Sequence, residues 1–397
     1  MHRQSFGRDV CIMGGAGHVG LPLALTFADA GLRTVVYDIN TKTIDSIRQG
    51  KMPFQEEDGE EMLRKELASG RLEADSSPEL MSDCEFLVLI IGTPVDEHLN
   101  PSFTAIHYAI ERCAEYLRDG QTLILRSTVF PGITQLIQTF LNDKGLGIHV
   151  AKCPERAIQG FSLREFRENP QIISAFNPVT MAKVCRLFSH FAPEIIEMTP
   201  MEAELTKLIC NAWRYIQFAT VNQFYMLATQ HGLDFDRILH GVRHKYPRMA
   251  NMPGPGFAAG PCLAKDTMQL AAFSQNYFML GHSAMLVNEG LPAHIIQITK
   301  QQMNLRKMTA GILGMAFKAD CDDPRDSLSY KLRKLLTLEC KKVVCADPYV
   351  EDEKLVSQER VLAEADVVFV GVPHTVYRTL AVPPRTRVVD VWQCIQR

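Results

Sequence analysis

The chain has 397 residues, 22% of them charged and 46% apolar, which is enough for two or three folded domains. A formal net charge of −3 excludes a broad nucleic-acid surface, which needs clustered Lys and Arg, although single basic residues can still meet a small anion. Eleven scattered cysteines without a CxxC pair argue against a disulfide framework and a zinc site, and predict reduced thiols in a cytoplasmic protein without metal.

The opening MHRQSFGRDV runs straight into a strand, so no signal peptide is predicted, and no apolar run approaches a membrane span. Residues 9–15, DVCIMGG, read as a strand ending in glycines. LPLALTFADAG follows as a helix, and TVVYDIN (34–40) is a second strand ending at Asp38. Further strands are predicted at 85–94, 121–128, 148–155 and 171–176, with helical segments between most of them. That alternation predicts a parallel, doubly wound sheet. From Glu202 to about Gln230 there is neither Gly nor Pro, which predicts one long helix. Along it Glu204, Lys207, Asn211, Arg214 and Asn222 recur at helical spacing. Helical character continues to about Lys307, broken by a Gly/Pro loop at 253–261. A third block echoes the first: TAGILGMAF (309–317), KKVVCADP (341–348), ADVVFVGVPH (365–374) and RVVDVW (387–392). It lacks the glycine fingerprint. The predicted fold class is α/β, with two Rossmann-like doubly wound domains joined by a central helical domain with a long helix.

Gly15-Ala16-Gly17-His18-Val19-Gly20 is a GxGxxG between a strand and a helix. Gly15 is expected to allow a tight turn, Gly17 the approach of a pyrophosphate, and Gly20 close packing of helix on strand. The helix N-terminus then faces the negative charge. Asp38 can accept bonds from ribose hydroxyls and would repel a 2′-phosphate, so the cofactor predicted is NAD rather than NADP. Without a ligand, the same glycines would make only a turn.

GPGFAAGPCLAKDT (254–267) places Cys262 and Asp266 in a stretch where backbone can come close to a ligand. Lys207 and Asn211 lie four residues apart and share a helix face. Alone, that pair would read as a solvated stripe and Cys262 as an inert thiol. Together with a nicotinamide cofactor they supply a nucleophile, a carboxylate and oxyanion donors, the set needed for oxidation through a thioester.

Eight ordered stretches resemble the UDP-glucose/GDP-mannose dehydrogenase family, the nucleotide-sugar 6-dehydrogenases. They are GAGHVGLPLA (15–24), GTPVDE (92–97), RSTVFPGIT (126–134), CPERAIQGFSLREF (153–166), AELTKLICNAW (203–213), YPRMANMPGPGF (246–257), CLAKD (262–266) and GMAFKADCDDPRDS (314–327). The resemblance implies an NAD-binding domain over 1–198, a central dimerisation and catalytic domain over 199–305, and a nucleotide-sugar (UDP) domain over 306–397. It implies a homodimer that oxidises the C6 alcohol twice, to a uronate. By position Cys262 matches the nucleophile, Lys207 and Asn211 the oxyanion donors, and Asp266 the carboxylate handling water and proton. Thr128 and Glu155 match positions near that water and the nicotinamide. Gly15, Gly17, His18, Val19, Gly20, Asp38, Thr93, Pro94 and Thr128 are the implied cofactor contacts. Glu155, Arg156, Lys207, Phe257, Gly260 and Lys318 are the implied substrate contacts, with Arg248 donated across the dimer.

Two positions depart from the family pattern. Pro261 precedes the cysteine and offers no backbone N–H. Trp392 stands where an arginine that meets substrate is expected, and reads either as core or as a ring stacked on base or sugar. CPERAIQG and YPRMANMPGPG resemble the UDP-N-acetylhexosamine branch, whereas CLAKD with Lys265 resembles the glucose/mannose branch. The substrate expected is a UDP-N-acetylhexosamine, with UDP-glucose or GDP-mannose as alternatives. A two-electron β-hydroxyacid dehydrogenase would need neither Cys262 nor the third block. A non-catalytic nucleotide-sugar scaffold or sensor would not need the set Cys262, Lys207, Asn211 and Asp266.

Overall fold

The computed structural model describes residues 6–93 and 104–395, which fall into two compact units divided between residues 209 and 210. The first unit opens with β1 (Arg8–Met13), α1 (Gly20–Asp29), β2 (Thr34–Tyr37), α2 (Thr41–Arg48), α3 (Gly59–Ala68) and β3 (Leu72–Asp75). It continues with β4 (Cys84–Leu89), α4 (Thr104–Cys113), β5 (Thr122–Leu125), α5 (Ile133–Asp143), β6 (His149–Lys152) and α6 (Ser162–Glu168). β7 (Gln171–Ala175), α7 (Pro178–Phe188) and β8 (Ile195–Met198) complete a sheet ordered β3-β2-β1-β4-β5-β6-β7-β8. Alternate residues of the central strands enter two separate cores. Val10, Ile12, Phe86 and Val88 point one way, and Cys11, Met13, Leu87 and Leu89 the other. Burial on both faces is why these strands read as unbroken apolar runs.

The sheet is not parallel throughout, as the sequence predicted. β7 pairs antiparallel with β6, Lys152 opposite Ser174, and β8 runs parallel to β7. The link between β6 and β7 carries only the seven-residue α6. The chain therefore turns back beside the strand end it has just left, without crossing the sheet to its far edge.

α8 (Pro200–Gln230) begins in the first unit and continues into the second. The second unit adds α9 (Phe235–Arg243), α10 (Leu263–Phe273), α11 (Met279–Gln302), β9 (Thr309–Leu313) and α12 (Leu328–Glu339). After these come β10 (Lys342–Ala346), α13 (Gln358–Glu364), β11 (Val367–Val370) and β12 (Arg387–Val389). The four strands form a parallel sheet ordered β10-β9-β11-β12. Ala310, Ile312, Val367 and Phe369 enter one core of this sheet, and Leu313, Val368 and Val370 the other. Among the described residues no helix is long and apolar enough to cross a membrane.

The two sheets repeat one device. Each first strand is followed by a glycine of positive φ, Gly14 (76°) and Gly314 (92°). Gly14 N donates to Tyr37 O and Gly314 N to Ala346 O, both at 2.9 Å, and these carbonyls end the second strands. An aspartate follows each second strand, Asp38 and Asp347, and accepts from the turn it faces. The difference lies in what is left over. Asp347 has no exposed side-chain surface, because the N–H groups of Met315, Ala316, Tyr349 and Val350 and the His374 ring surround it. Burial works to raise its pKa, but these partners outweigh burial and hold the carboxyl below its ordinary value. Only Asp38 keeps exposed surface with which to meet a ribose.

Candidate active site

The glycine turn fits a dinucleotide, with one correction to its parts. The left-handed residue is Gly14, not Gly15. Gly15 is required for space, since a Cβ there would lie 2.6 Å from Ile12 O. A Cβ on Gly20 would lie 2.7 Å from the Gly15 Cα, so its absence lets α1 pack on the end of β1. Gly17 is exposed, and a Cβ there would meet nothing nearer than Gly14 O at 4.0 Å. Its missing side chain serves no internal packing and leaves the approach open. Val19 caps α1, and the His18 ring rests 4.1 Å from that of Phe54. Asp38 accepts from Ala16 N at 3.1 Å and from Asn40 N at 3.0 Å, which fixes its carboxylate at the turn. Thr93 Oγ1 donates to Thr128 O at 2.7 Å, whereas Pro94 lies outside the described residues. Gly17→Ala should leave the unfolding midpoint unchanged but weaken NAD binding about tenfold or more, because only the pyrophosphate needs that space. Isothermal titration with NAD checks this, and unaltered affinity would place the pyrophosphate elsewhere.

A buried polar cluster shapes the far end of the first sheet. Arg126 is 1% exposed and donates to Glu155 Oε2 (2.5 Å), Gln171 Oε1 (2.9 Å) and Cys153 O (3.2 Å). Glu155 Oε1 also accepts from the N–H groups of Arg156 and Ala157, so its carboxylate holds the CPERA turn in shape. The Arg156 guanidinium donates to Pro170 O. Lys152 is fully buried and donates to Ser127 O at 2.6 Å, next to Thr128. Sequence reading gave no role to Arg126, although it opens the RSTVFPGIT stretch, or to Lys152, a lysine at a strand end. On α8, Glu204 is buried and accepts from Gly132 N, Thr134 N and Thr134 Oγ1, capping α5. Lys207 lies half-buried one turn further along α8.

Burial pushes the Lys152 ammonium down from 10.5 to about 7. Glu204 and Cys153 oppose that fall, while the positive charges of Arg126 and Lys207 add to it. Between these two pKa values the unfolded chain holds more protons than the folded one, so this residue makes stability rise as pH climbs above about 7. Lys152→Met should remove that rise. Between about pH 7 and about pH 9 the wild-type unfolding midpoint should rise relative to that of the variant, and parallel curves would contradict the shift.

The second unit carries the thiol. All eleven cysteines lie among the described residues, and Cys262 alone is exposed. It is the N-cap residue of α10, where the helix dipole favours negative charge. The Gly/Pro run ends there, so the helix starts directly at the cysteine. Asp266 N donates to Cys262 O at 2.8 Å, and the Asp266 side chain is completely buried. Asn211 Nδ2 reaches Asp266 Oδ2 at 2.5 Å, and Lys265 Nζ lies 3.3 Å from Asp266 Oδ1. The structure thus joins two of the predicted residues, Asn211 and Asp266, and shows the Asn211 amide engaged by a carboxylate. Arg325, also unremarked in the sequence, is gripped by Asp323 at 2.6–3.0 Å. The Asp323 contact raises the Arg325 pKa, with Cys262 among the smaller contributing charges.

The remaining predicted residues are placed as follows. Phe257 is 5% exposed and its ring belongs to the core of the second unit. Gly260 is buried and Lys318 half-buried. Arg248 is exposed, with Nη1 at 3.2 Å from the Tyr246 hydroxyl. Thr128, Glu155, Arg156 and Lys207 belong to the first unit, and Asn211, Arg248, Cys262, Asp266 and Lys318 to the second.

Comparison with known proteins identifies the family. Residues 8–192, 201–290 and 311–397 match, in turn, the NAD-binding, central and UDP-binding domains of the UDP-glucose/GDP-mannose dehydrogenase family. A UDP-N-acetyl-D-mannosamine dehydrogenase of Methanocaldococcus jannaschii is 27% identical over 385 residues, 95% of this chain and 88% of that protein. An NDP-N-acetyl-D-galactosaminuronic acid dehydrogenase of Ralstonia solanacearum is 28% identical over 389 residues, 92% of this chain and 91% of that protein. The solved UDP-D-ManNAc dehydrogenase of Pyrococcus horikoshii has a TM-score of 0.90 at 26% identity, covering 98% of this chain and 96% of that one. Matched in all three of its domains, and carrying a cradle that fits NAD, the chain belongs to the UDP-glucose/GDP-mannose dehydrogenase family.

Proposed function

We propose that this chain is an NAD-dependent nucleotide-sugar 6-dehydrogenase that oxidises the C6 alcohol of a UDP-linked N-acetylhexosamine to a carboxylate. The observation that carries the reading is the single exposed cysteine at the head of α10, one turn before a buried carboxylate held by Asn211. An exposed thiol at a helix N-terminus suits nucleophilic attack, whereas a packing cysteine is buried. NAD, when bound, would supply the hydride acceptor for both oxidations. Gly15, Gly17, Gly20 and Asp38 would hold it, with His18, Val19, Thr93 and Thr128 beside it.

Cys262 captures the C6 aldehyde as a thiohemiacetal, which the second oxidation turns into a thioester. Lys207 and Asn211 support negative charge on the C6 oxygen. Asp266 directs the water that releases the acid and restores the thiol, a step in which Thr128 and Glu155 also take part. Arg156, Phe257, Gly260 and Lys318 border the substrate, and Arg248 reaches the site of a second subunit in a homodimer. The domains run 1–198, 199–305 and 306–397, and the protein works in the cytoplasm. Choice of an N-acetylhexosamine is supported by CPERAIQG and YPRMANMPGPG and by the names of the two relatives above.

A substrate panel tests the reading. Protein and NAD are mixed with UDP-N-acetylglucosamine, UDP-N-acetylmannosamine, UDP-N-acetylgalactosamine, UDP-glucose and GDP-mannose, and NADH absorbance is followed. An N-acetylhexosamine should turn over best. Turnover of UDP-glucose alone would move the substrate to the other branch, and turnover of none would remove the enzymatic reading.

A further inference from the structure

The 254–261 loop leading to Cys262 is gripped at two glycines by aromatic rings from the C-terminal block. At Gly256 the place of a Cβ lies 2.1 Å from Trp392 Cζ3 and 2.3 Å from Cε3, so the indole fills the space a side chain would take. At Gly260 the same place lies 2.5 Å from Cδ2 of Phe317. Gly260 also has φ +98° and donates to Asp326 O at 3.2 Å. Opposing the indole, the buried Asn222 amide brackets Gly256. Its Nδ2 donates to Gly256 O and its Oδ1 accepts from Gly256 N, both at 2.9 Å. Asn222 is fixed in turn by Asn288, whose own amide donates to Tyr215 O. Trp392 is held by its Nε1, which donates to Gly371 O at 3.1 Å just beyond β11, and by the edge of Phe257, with ring centroids 6.3 Å apart.

These contacts join two ends of one site. Phe317 immediately precedes Lys318, and Gly260 lies two residues before Cys262. The ring on Gly260 therefore sets the thiol loop against the segment that carries the substrate lysine, and the indole on Gly256 fixes the loop's other end. Resting on the thiol chemistry proposed above, we propose that Trp392 is a positioning residue. With Phe317 it locks the 254–261 loop to the nucleotide-binding block, so that a sugar carried on a bound nucleotide arrives in register with Cys262. The indole stands where an arginine was expected to touch substrate. It works through the loop backbone instead.

Register matters most at one step. The first oxidation removes a hydride and a proton from the C6 alcohol, giving an aldehyde and NADH. The thiol then adds its sulfur to the aldehyde carbon and its proton to the oxygen. A second oxidation removes a hydride to a second NAD and the hydroxyl proton to solvent, which gives the thioester, and water releases the carboxylate and the thiol. A misplaced thiol leaves the first oxidation running but lets free aldehyde escape before capture. Wild type should give two NADH per uronate. Trp392→Ala should raise that ratio to about three or more, since a 1 Å misplacement of a reacting group can cost about a hundredfold in its step. Aldehyde trapped with semicarbazide should account for the difference.

Trp392→Phe keeps a ring on Gly256 and should bring the ratio back close to two. Gly256→Ala, which leaves the indole in place and drives a methyl group into it, should raise the ratio again and serves if Trp392→Ala fails to fold. A merely structural tryptophan would lower the rate of Trp392→Ala and leave its ratio at two, which would overturn the proposal alone. A wild type that forms NADH but no uronate would overturn the thiol reading and this proposal with it.

Discussion

Cys262→Ala should abolish uronate formation, by about ten-thousand-fold or more, while NAD still binds with wild-type affinity. The size of the loss follows from the chemistry. Without the thiol no thioester forms, and only adventitious hydration of the aldehyde remains to carry it to the acid. The fold should not suffer, because the side chain is exposed and the backbone of α10 begins beyond it. Surface substitutions of this kind usually stay within about 0.5 kcal/mol. Slow, reversible oxidation of the alcohol to the aldehyde should survive. Quantifying uronate and NADH separately, with the unfolding midpoint as control, makes the test. Uronate formed at the wild-type rate would remove Cys262 from the mechanism.

The elements legible in the sequence were those with a physical reason to look unusual. β1, β4 and β9 are buried on both faces and appear as apolar runs, and α8 shows as a long stretch without a breaker. β3 and β8 escaped notice because each has four residues at or near a sheet edge. LEAD and IIEM carry acidic residues that break up the apolar pattern. The antiparallel turn of β7 escaped for a different reason, since strand direction depends on the path of a connection and leaves no mark within the strand.

For the site, residue types were easier to find than their partners. The polar residues of α8 looked like one stripe, yet they do different work. Glu204 caps α5, Asn211 meets Asp266, Asn222 grips Gly256, and Arg214 is exposed. Helical spacing gives the face of a helix but not what packs against it. Trp392 was open between core and ligand stacking, and the structure sets its ring on Gly256, a contact between residues distant in the chain. Lys152 gave no signal because a lysine at a strand end is ordinary until both its faces are covered.

Asn211→Ala and Asp266→Ala should each lower kcat by about 100- to 1000-fold, and the double variant should be no slower than the worse single one. The pair acts as a unit because its two side chains, 4% and 0% exposed, share one 2.5 Å hydrogen bond. Removing the amide leaves a buried carboxylate with Lys265 as its neighbour at 3.3 Å. Removing the carboxylate leaves a buried amide without the acceptor that orients it, at a cost of about 1–3 kcal/mol in stability. Loss of either partner therefore disables the same step, and the second loss has little left to remove. Asp266→Asn keeps the volume and separates charge from packing. It should fold like wild type and release about two NADH per site in a rapid first turnover before slowing sharply, because the thioester forms but its water is no longer directed. Stopped-flow absorbance on the four proteins of the cycle and on Asp266→Asn measures both effects. If the two losses multiply in the double variant, the residues act independently and the shared hydrogen bond has no part in catalysis.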